Sequence, residues 1–266
     1  MLRSRIIPVL LIHKNGLVKT LEFDHPKYVG DPINTIKVFN EKRVDEIMVI
    51  DIDATVNNKE PNYRLIEGFA AEARMPICYV GGINSVEQIK KIISFGIEKV
   101  GLSSAAIQNP QLISQASSEV GSQSVTIVID IKKNVNGQGW QVFTHNGLRR
   151  CEIPPVELAQ KLCDEGAGEL VISSIDRDGT RLGYDIELIE LLRSSVNVPI
   201  TAVGGAGGMN DLSMLIDRFP IIGAGAGDMF VFKGKFKAVL ITYPSKENKA
   251  KIFNLKADNF DGNYIL

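Results

Sequence analysis

The chain has 266 residues, of which 44% are hydrophobic and 23% charged, and its formal net charge is −1. This near-neutral balance excludes a bulk electrostatic attraction to nucleic acid or to an anionic membrane surface. The length suits one α/β barrel, although two smaller domains would also fit it.

Short β-branched runs alternate with amphipathic stretches along the whole chain. The first half predicts strand, helix, strand, helix in chain order over residues 6–12, 31–42, 46–52, 63–73, 76–80, 85–95, 99–102 and 110–119. The second half repeats this order over residues 125–131, 155–165, 169–173, 186–194, 200–203, 210–217 and 221–226. Eight strands alternating with helices predict a closed parallel barrel. A doubly wound open sheet is the alternative, and alternation alone does not exclude it.

An internal repeat favours the barrel. Val-Gly-Gly-Ile at 80–83 matches Val-Gly-Gly-Ala at 203–206, with the same separation that relates Glu46 to Glu169. The run ending at Ser104 corresponds in the same order to the run ending at Asp228. Two (βα)4 halves predict one (β/α)8 TIM barrel over residues 1–244. The polar residues 245–266 are expected to form a loosely packed tail.

Glycine-rich turns follow the third and seventh predicted strands, at the end of a barrel where catalytic loops lie. They contain Gly81 and Gly82 in one turn and Gly204 and Gly205 in the other. Glycine allows backbone N–H groups to approach an anion closely. A tight turn needs glycine in any case, but the paired occurrence favours two phosphate sites.

The fourth and eighth strands end beside these turns. Ser103 and Ser104 follow the fourth strand and would add hydroxyl donors to the first phosphate site. Gly227 and Asp228 occupy the same place after the eighth strand. Because a carboxylate repels phosphate, either Asp228 turns away or this site no longer takes a phosphate. Capping of a short helix by Asp228 is the structural alternative.

Three further segments place polar side chains at the same end. Asp130 ends the fifth strand and suits general acid–base work, with an ion pair to a nearby lysine as the alternative. Asp178 and Gly179 belong to a polar loop that either lines a substrate or forms a turn. Lys19 lies in the long first loop, either as a phosphate-reaching lysine of a mobile lid or as an ordinary solvated lysine.

Four charged residues precede strand interiors at the opposite end, namely Arg5, Glu46, Lys99 and Glu169. Two bases and two acids at one barrel end predict a ring of salt bridges, with separate surface pairs as the alternative. Charges at this face of a barrel are typical of stability or partner binding rather than of chemistry.

The remaining residue types give no sign of a metal or cofactor. Three histidines, His13, His25 and His145, lie in polar loops and are expected at the surface. The three cysteines show no metal-ligand spacing, and we expect reduced thiols. No segment approaches the roughly 20 apolar residues of a membrane span, and the start lacks the features of a signal peptide. A cytoplasmic protein is therefore expected.

Specific motifs give the chain a family resemblance from residue 1 to about residue 235. They include RIIP at the start, GDP at 30–32, VGGI at 80–83, GAGE at 166–169, SSIDRDGT at 173–180, GYD at 183–185 and GGAG at 204–207. In these motifs the chain resembles HisF, the cyclase subunit of imidazole glycerol phosphate synthase.

The resemblance implies a barrel that docks its amino-terminal face on a glutaminase, HisH, and receives ammonia through its interior. Arg5, Glu46, Lys99 and Glu169 match the charged ring at the family's tunnel entrance residue for residue. Glu98 and Gln123 match positions near the glutaminase. The family's substrate is a phosphorylated small molecule with two phosphates, and two carboxylates at the mouth act as acid and base.

The chain departs from the family pattern at the mouth. Leu11 replaces a catalytic aspartate, while Ser103, Val203 and Asp228 replace an asparagine and two serines of the phosphate sites. Loss of one of two catalytic carboxylates commonly costs 10²–10⁴-fold in rate. An intact entrance and an altered mouth favour retained ammonia handling with changed or lost cyclisation.

Three functions remain open at this point. The chain also resembles HisF-like paralogues of surface-polysaccharide pathways, and this resemblance implies that the pair with a HisH-like subunit supplies ammonia to a separate sugar amidotransferase. A genuine histidine-pathway cyclase that uses Asp130 with a substitute acid is the second hypothesis. A non-catalytic scaffold that only activates the glutaminase is the third.

Overall fold

Eight parallel strands pair in a closed circuit in the computed structural model, which describes residues 3–253. In chain order they are β1 (Arg5–His13), β2 (Ile47–Asp51), β3 (Ile77–Val80), β4 (Lys99–Leu102), β5 (Val125–Lys133), β6 (Glu169–Ser174), β7 (Ile200–Val203) and β8 (Ile222–Ala226). Each strand pairs with its neighbours in sequence, and β1 pairs with β8 as well as with β2. The predicted TIM barrel is confirmed and the open sheet is excluded, because no edge strand remains among the eight.

Helices follow the strands on the outside of the barrel. The longer ones are Pro32–Glu41, Tyr63–Glu72, Val86–Ser94, Gln111–Val120, Pro155–Asp164, Ile186–Arg193 and Met209–Arg218. Shorter helices span Ser104–Gln108, Asp228–Val231 and Lys246–Ile252, and 3-10 turns span Ser122–Ser124 and Ile175–Arg177. Several predicted helices are one residue too long at the start because the cap was counted; Asp31 and Ser85 accept hydrogen bonds from the first turn instead. Within residues 3–253, none of the helices has the length and apolar character of a membrane crossing.

Alternating strand residues build two apolar layers. Outward residues such as Ile6, Ile127 and Leu170 are fully buried against the helices. Inward residues form a smaller apolar cluster that includes Ile7, Met48 and Cys78. Burial of each large aliphatic side chain contributes about 1.5–3 kcal/mol, so the outer layer supplies most of the stability.

Two hairpins that were not predicted extend from strands of the barrel. The first hairpin comprises Gly16–Leu21 and Asp24–Gly30, and its first strand pairs with the end of β1. The second hairpin follows β5 and comprises Trp140–Thr144 and Arg149–Arg150. The first loop is therefore a hairpin that extends the sheet.

The segment after residue 244 is more ordered than expected as far as it is described. Ser245 caps the helix Lys246–Ile252 by accepting a hydrogen bond from the Asn248 backbone. Lys249 of this helix is buried. The expectation of loose packing is wrong for residues 245–253, because the helix has a buried side. The rest of the predicted tail, residues 254–266, lies outside the described residues.

Candidate functional site

A cavity of about 220 Å³ opens at the carboxyl ends of the barrel strands, and we call it the mouth cavity. It brings together all twelve residues that were predicted at this end. They are Lys19, Gly81, Gly82, Ser103, Ser104, Asp130, Asp178, Gly179, Gly204, Gly205, Gly227 and Asp228. Leu11 also lines the cavity.

The β3–β4 side of the mouth cavity is shaped by tight backbone turns. Gly81 and Gly82 have φ angles of 125° and 71°, which only glycine adopts readily. A Cβ on Gly81 would also come within 2.5 Å of the Asp51 carbonyl oxygen. The Ser104 hydroxyl accepts a hydrogen bond of 3.2 Å from the His145 backbone, which ties the second hairpin to this side.

Asp51, the carboxylate that lines the cavity at the end of β2, is already engaged. Asp51 accepts hydrogen bonds from the backbone amides of Asp53 and Ala54, at 3.0 and 3.1 Å. Burial raises the pKa of Asp51, although these two hydrogen bonds lower it in part. The carboxylate therefore fixes the turn after β2.

The β7–β8 side of the mouth cavity carries the second glycine turn. Gly204 and Gly205 repeat the positive φ angles, at 103° and 100°. The next amides in this turn, of Gly207 and Gly208, donate to the Asp211 carboxylate at 2.7 and 3.0 Å. Asp211 thus caps the first turn of the helix Met209–Arg218.

Asp228 is the carboxylate of the β7–β8 side that lines the mouth cavity. It is buried, with 7% of its surface exposed, and it pairs with the Arg181 guanidinium. Lys237 lies 3.7 Å from its other oxygen. The suggestion that Asp228 caps the helix Asp228–Val231 is wrong. Gly227 is the N-cap residue, and no side chain donates or accepts a hydrogen bond at this cap. The Asp228 carboxylate is held by Arg181 instead.

Asp130 projects into the mouth cavity from β5. It lies beside Ser173 in the register of β5 and β6. Burial raises the pKa of Asp130 to about 7, the Ser173 hydroxyl lowers it in part, and Asp178 adds to the rise. A carboxyl group with a pKa near neutrality both accepts and releases protons at physiological pH, as general acid–base work requires.

Lys19 lies inside the wall of the mouth cavity and is buried. Its ammonium group donates to the backbone oxygen of Val9. Burial lowers the pKa of Lys19 to about 8, and the charges of Asp178 and Asp228 oppose that effect. The solvated alternative is therefore wrong, because the first hairpin turns this side chain into the barrel.

Asp178 joins the loop after β6 to the first hairpin. Its carboxylate accepts hydrogen bonds from the Thr20 hydroxyl at 2.6 Å and from the Phe23 backbone at 3.1 Å. The adjacent Gly179 has a φ angle of 68° and packs closely on Thr20. This loop therefore supports the wall of the cavity as well as lining it.

Four charged side chains close the opposite end of the barrel, and we call them the entrance ring. Arg5 pairs with Glu46 and, at 2.7 Å, with Glu169. Lys99 lies 3.0 Å from Glu46 and 2.9 Å from Glu169. Each cation thus contacts both carboxylates, and the circuit is complete.

The electrostatics of the entrance ring favour the fully charged state. Burial alone would lower the pKa of Arg5 and of Lys99, but the two carboxylates raise both values. Burial alone would raise the pKa of Glu169, but Arg5 and Lys99 lower it. The Thr201 hydroxyl adds a hydrogen bond of 2.5 Å to Glu169. Arg5, Lys99 and Glu169 are therefore all stabilised in their charged forms.

The interior between the entrance ring and the mouth cavity is mostly apolar. Ile7, Met48 and Val171 belong to it, and Val9 lies both in this cluster and in the cavity wall. The Cys78 thiol and the Thr126 hydroxyl lie side by side in the same region. Such apolar surroundings disfavour an ion.

The two positions matched to the family's partner face differ in their contacts. Glu98 is exposed, and its carboxylate accepts a hydrogen bond of 2.8 Å from the Ile77 backbone. Gln123 is exposed in the 3-10 turn before β5. Both lie next to the amino-terminal ends of strands, on the same side as the entrance ring.

Sequence reasoning missed several residues of the mouth. His145 lines the mouth cavity and is only partly exposed, so the expectation of a surface position is wrong for this histidine. The second hairpin brings His145 to the cavity. His13 lies 2.7 Å from Asp53, although the two are far apart in sequence. Arg181 was also missed, and only its position between two motif residues, Gly179 and Gly183, could have drawn attention to it.

No cluster of three potential metal ligands occurs within residues 3–253.

Comparison with known proteins gives consistent results. The model of the histidine biosynthesis protein family matches residues 5–237. A Leptospira borgpetersenii protein with the provisional name imidazole glycerol phosphate synthase subunit HisF is 49% identical over 253 residues, which are 95% of this chain and 100% of that protein. A Pseudomonas aeruginosa protein with a similar provisional name is 50% identical over 244 residues, 92% of this chain and 97% of its own. The imidazole glycerol phosphate synthase subunit HisF of Lactococcus lactis is 38% identical over 218 residues, 82% of this chain and 84% of its own.

Proposed function

Because the chain belongs to the histidine biosynthesis protein family and is a HisF-like subunit of the imidazole glycerol phosphate synthase type, we propose that it receives ammonia from a HisH-like glutaminase and delivers it through the barrel. The glutaminase docks on the face that carries the entrance ring. The delivered ammonia supports the amidination of a sugar for a surface polysaccharide.

The closed entrance ring is the observation that carries this proposal. Buried ion pairs are weak contributors to stability, because desolvation offsets most of their attraction. Two carboxylates with 3% and 7% of their side chains exposed are therefore a costly way to build a barrel end. A role in admitting or positioning a small polar molecule explains why four charges are gathered there.

The mouth cavity supports delivery to a different acceptor rather than ordinary cyclisation. Of the two carboxylates that the family uses, Asp130 is present and Leu11 occupies the other place. An aliphatic side chain cannot transfer a proton, so one half of the acid–base pair is lost. Ammonia that reaches this mouth needs another catalyst, and a sugar amidotransferase docked there would supply it.

Two separate measurements test the ammonia route. The chain is combined with a HisH-type glutaminase, and glutamate release and transfer of ¹⁵N-labelled ammonia to the sugar amidotransferase product are followed in parallel. Glu46→Ala and Glu169→Ala are expected to reduce ammonia transfer at least tenfold while glutamate release continues. Glu119→Ala is the matched control, because Glu119 is an exposed glutamate paired only with Lys90 at the surface. Unchanged transfer in both ring variants would refute the route.

An authentic cyclase remains the second candidate, and Asp130 is the observation that favours it. Its pKa of about 7 suits proton transfer at neutral pH. The assay follows turnover of the family's bis-phosphate substrate in the reconstituted pair. Turnover within tenfold of an ordinary cyclase would reject the sugar pathway. Glutaminase activation without either turnover or ammonia transfer would leave only a scaffold.

A further inference from the structure

Several cations and one exposed aromatic side chain gather beside the mouth cavity, outside its lining. Most of them lie on a third hairpin, Phe232–Lys233 and Ala238–Val239, which follows the short helix after β8. Phe236 lies in the turn of this hairpin and has 89% of its surface exposed. We call the following residues the rim patch: Lys27, Arg181, Lys233, Lys235, Phe236 and Lys237.

Three chain segments are held together at the rim patch. Phe232 is buried, and the ammonium groups of Lys27 and Lys237 lie 4.9 and 5.9 Å from the centre of its ring. The ring face attracts cations at such distances. Lys237 also lies 3.7 Å from the Asp228 carboxylate, which pairs with Arg181 as well. The first hairpin, the loop after β6 and the third hairpin therefore meet at one place on the border of the cavity.

The rim patch carries an unbalanced positive charge. Asp228 is the carboxylate that contacts it, and this side chain is only 6% exposed and already held by two cations. Lys27, Lys233 and Lys235 are exposed and pair with no carboxylate of residues 3–253. Because the whole chain has a net charge of −1, the positive excess is a local feature of this rim.

We propose that the rim patch is the docking surface for an acidic face of the enzyme that accepts the ammonia, with Phe236 inserted into an apolar pocket of that face. The inference rests on the proposed function, since it names the surface that the acceptor enzyme uses. Opposite charges steer two proteins into the correct orientation. A buried aromatic anchor contributes a large share of the binding energy. The rim patch combines the two at the end of the barrel where ammonia leaves.

The position of the rim patch explains why this enzyme is its occupant. Asp228 both lines the mouth cavity and contacts the patch, so a protein seated on the patch also covers the mouth. Leu182, which directly follows Arg181, is 72% exposed and adds apolar surface beside the cations. Exposed apolar surface next to a functional opening is typical of an interaction site. An anionic lipid surface and a second copy of the chain are the other occupants that the experiment separates.

The experiment measures, by biolayer interferometry, how tightly the pair of full-length chain and glutaminase binds the sugar amidotransferase of the ammonia-transfer assay. Phe236→Ser is expected to raise the dissociation constant at least tenfold, mainly through faster dissociation. Lys233→Glu combined with Lys235→Glu is expected to slow association at least tenfold at low salt, with a smaller difference at high salt. Met214→Ser and Lys161→Glu change an exposed apolar and an exposed basic side chain on outer helices, and these matched controls should bind like the wild type.

Ammonia transfer provides a second readout on the same variants, and circular dichroism verifies that each is folded. Glutamate release is expected to stay at the wild-type level in the rim variants, because the glutaminase docks at the opposite end. Transfer should fall at a low amidotransferase concentration and recover at a saturating one. Unchanged affinity in both rim variants, no binding to the wild-type pair, or transfer that stays low at saturation would each overturn the inference.

The other occupants are tested with vesicles of phosphatidylglycerol and phosphatidylcholine and by sedimentation of the chain alone. Vesicle binding or self-association that Phe236→Ser abolishes would assign the rim patch to a lipid surface or to a second copy, and would overturn the inference. The ammonia route fails by a different result, namely entrance-ring variants that leave transfer unchanged. The two failures are therefore distinguishable.

Discussion

Lys249 of the last described helix donates a hydrogen bond of 2.6 Å to Asp45, the residue directly before Glu46 of the entrance ring. The other Asp45 oxygen accepts from the backbone of Ile6 at 3.0 Å, and Ile6 directly follows Arg5. Tyr243 also donates to the Ile6 carbonyl at 2.8 Å. The C-terminal segment thus holds the two strands that carry half of the entrance ring.

We expect Lys249→Met to lower the free energy of unfolding by about 3 kcal/mol, because it leaves the nearly buried Asp45 carboxylate without its cation. Lys251→Met on the exposed side of the same helix is the control, and it should change stability by less than about 0.5 kcal/mol. Urea unfolding followed by circular dichroism provides both values. Equal effects of the two substitutions would contradict a structural role for the Lys249–Asp45 pair.

The acid stability of the protein should depend on Glu169. Its folded pKa lies below the ordinary value of 4.5, so the stability it contributes is present above about pH 4.5 and is lost as the pH falls through the folded pKa. Glu169→Gln is therefore expected to be less stable than the wild type at pH 7, by about 3 kcal/mol, with the gap closing below pH 4.5. Thermal melts between pH 3 and 7 measure this gap.

The control for Glu169 is Glu119→Gln, which removes an exposed charge from a surface pair. Exposed pairs contribute little, so this variant should follow the wild type at every pH. A Glu169→Gln gap that stays constant down to pH 3 would show that charge does not underlie the contribution of Glu169.

The contribution of Asp130 to stability should have the opposite pH dependence to that of Glu169. Its pKa is raised from 3.8 to about 7 by burial, so the folded state holds a proton that the unfolded chain has already lost. Stability therefore falls as the pH rises from about 4 to 7 and is constant above that range. Asp130→Asn should be more stable than the wild type at pH 8, by on the order of 2 kcal/mol, and equal to it near pH 4. Asp164→Asn serves as the control with no such trend, and thermal melts are again the measurement.

Asp178 should control the order of the first hairpin. Asp178→Ala removes the acceptor of the Phe23 amide and of the Thr20 hydroxyl, but the backbone bond from Glu22 to the Asp178 carbonyl is retained. Hydrogen exchange at the Phe23 amide is expected to accelerate at least tenfold, and at Glu22 less. Asp24→Ala at the turn of the same hairpin is the comparison; equal acceleration at Phe23 in both variants would refute the assignment.

The barrel could be predicted from sequence because its signal is local and repeated. The predicted bounds of β4 and β7 coincide with the observed strands, and most other bounds differ by one or two residues. Each run lies between turn residues and buries both faces, which leaves few alternative structures. The twofold repeat that supported the barrel stays a prediction.

The two hairpins were not predicted because the turn residues between their strands were not considered. Lys14 and Asn15, with φ angles of 50° and 62° before Gly16, form a two-residue turn of the kind that Asn-Gly pairs favour. The Arg181–Asp228 pair had no comparable local signal, because the two residues are distant in sequence and meet only through the closure of the barrel. The roles of the predicted mouth and entrance residues likewise stay predictions, although the structure gives their positions.

Asp178 links the first hairpin to the loop after β6, so two chain segments that border the mouth cavity are joined by side-chain and backbone bonds. Neither segment can swing outward alone without breaking those bonds. A displacement of either segment would therefore carry the other with it or break these bonds, so the two segments should behave as one unit in hydrogen exchange.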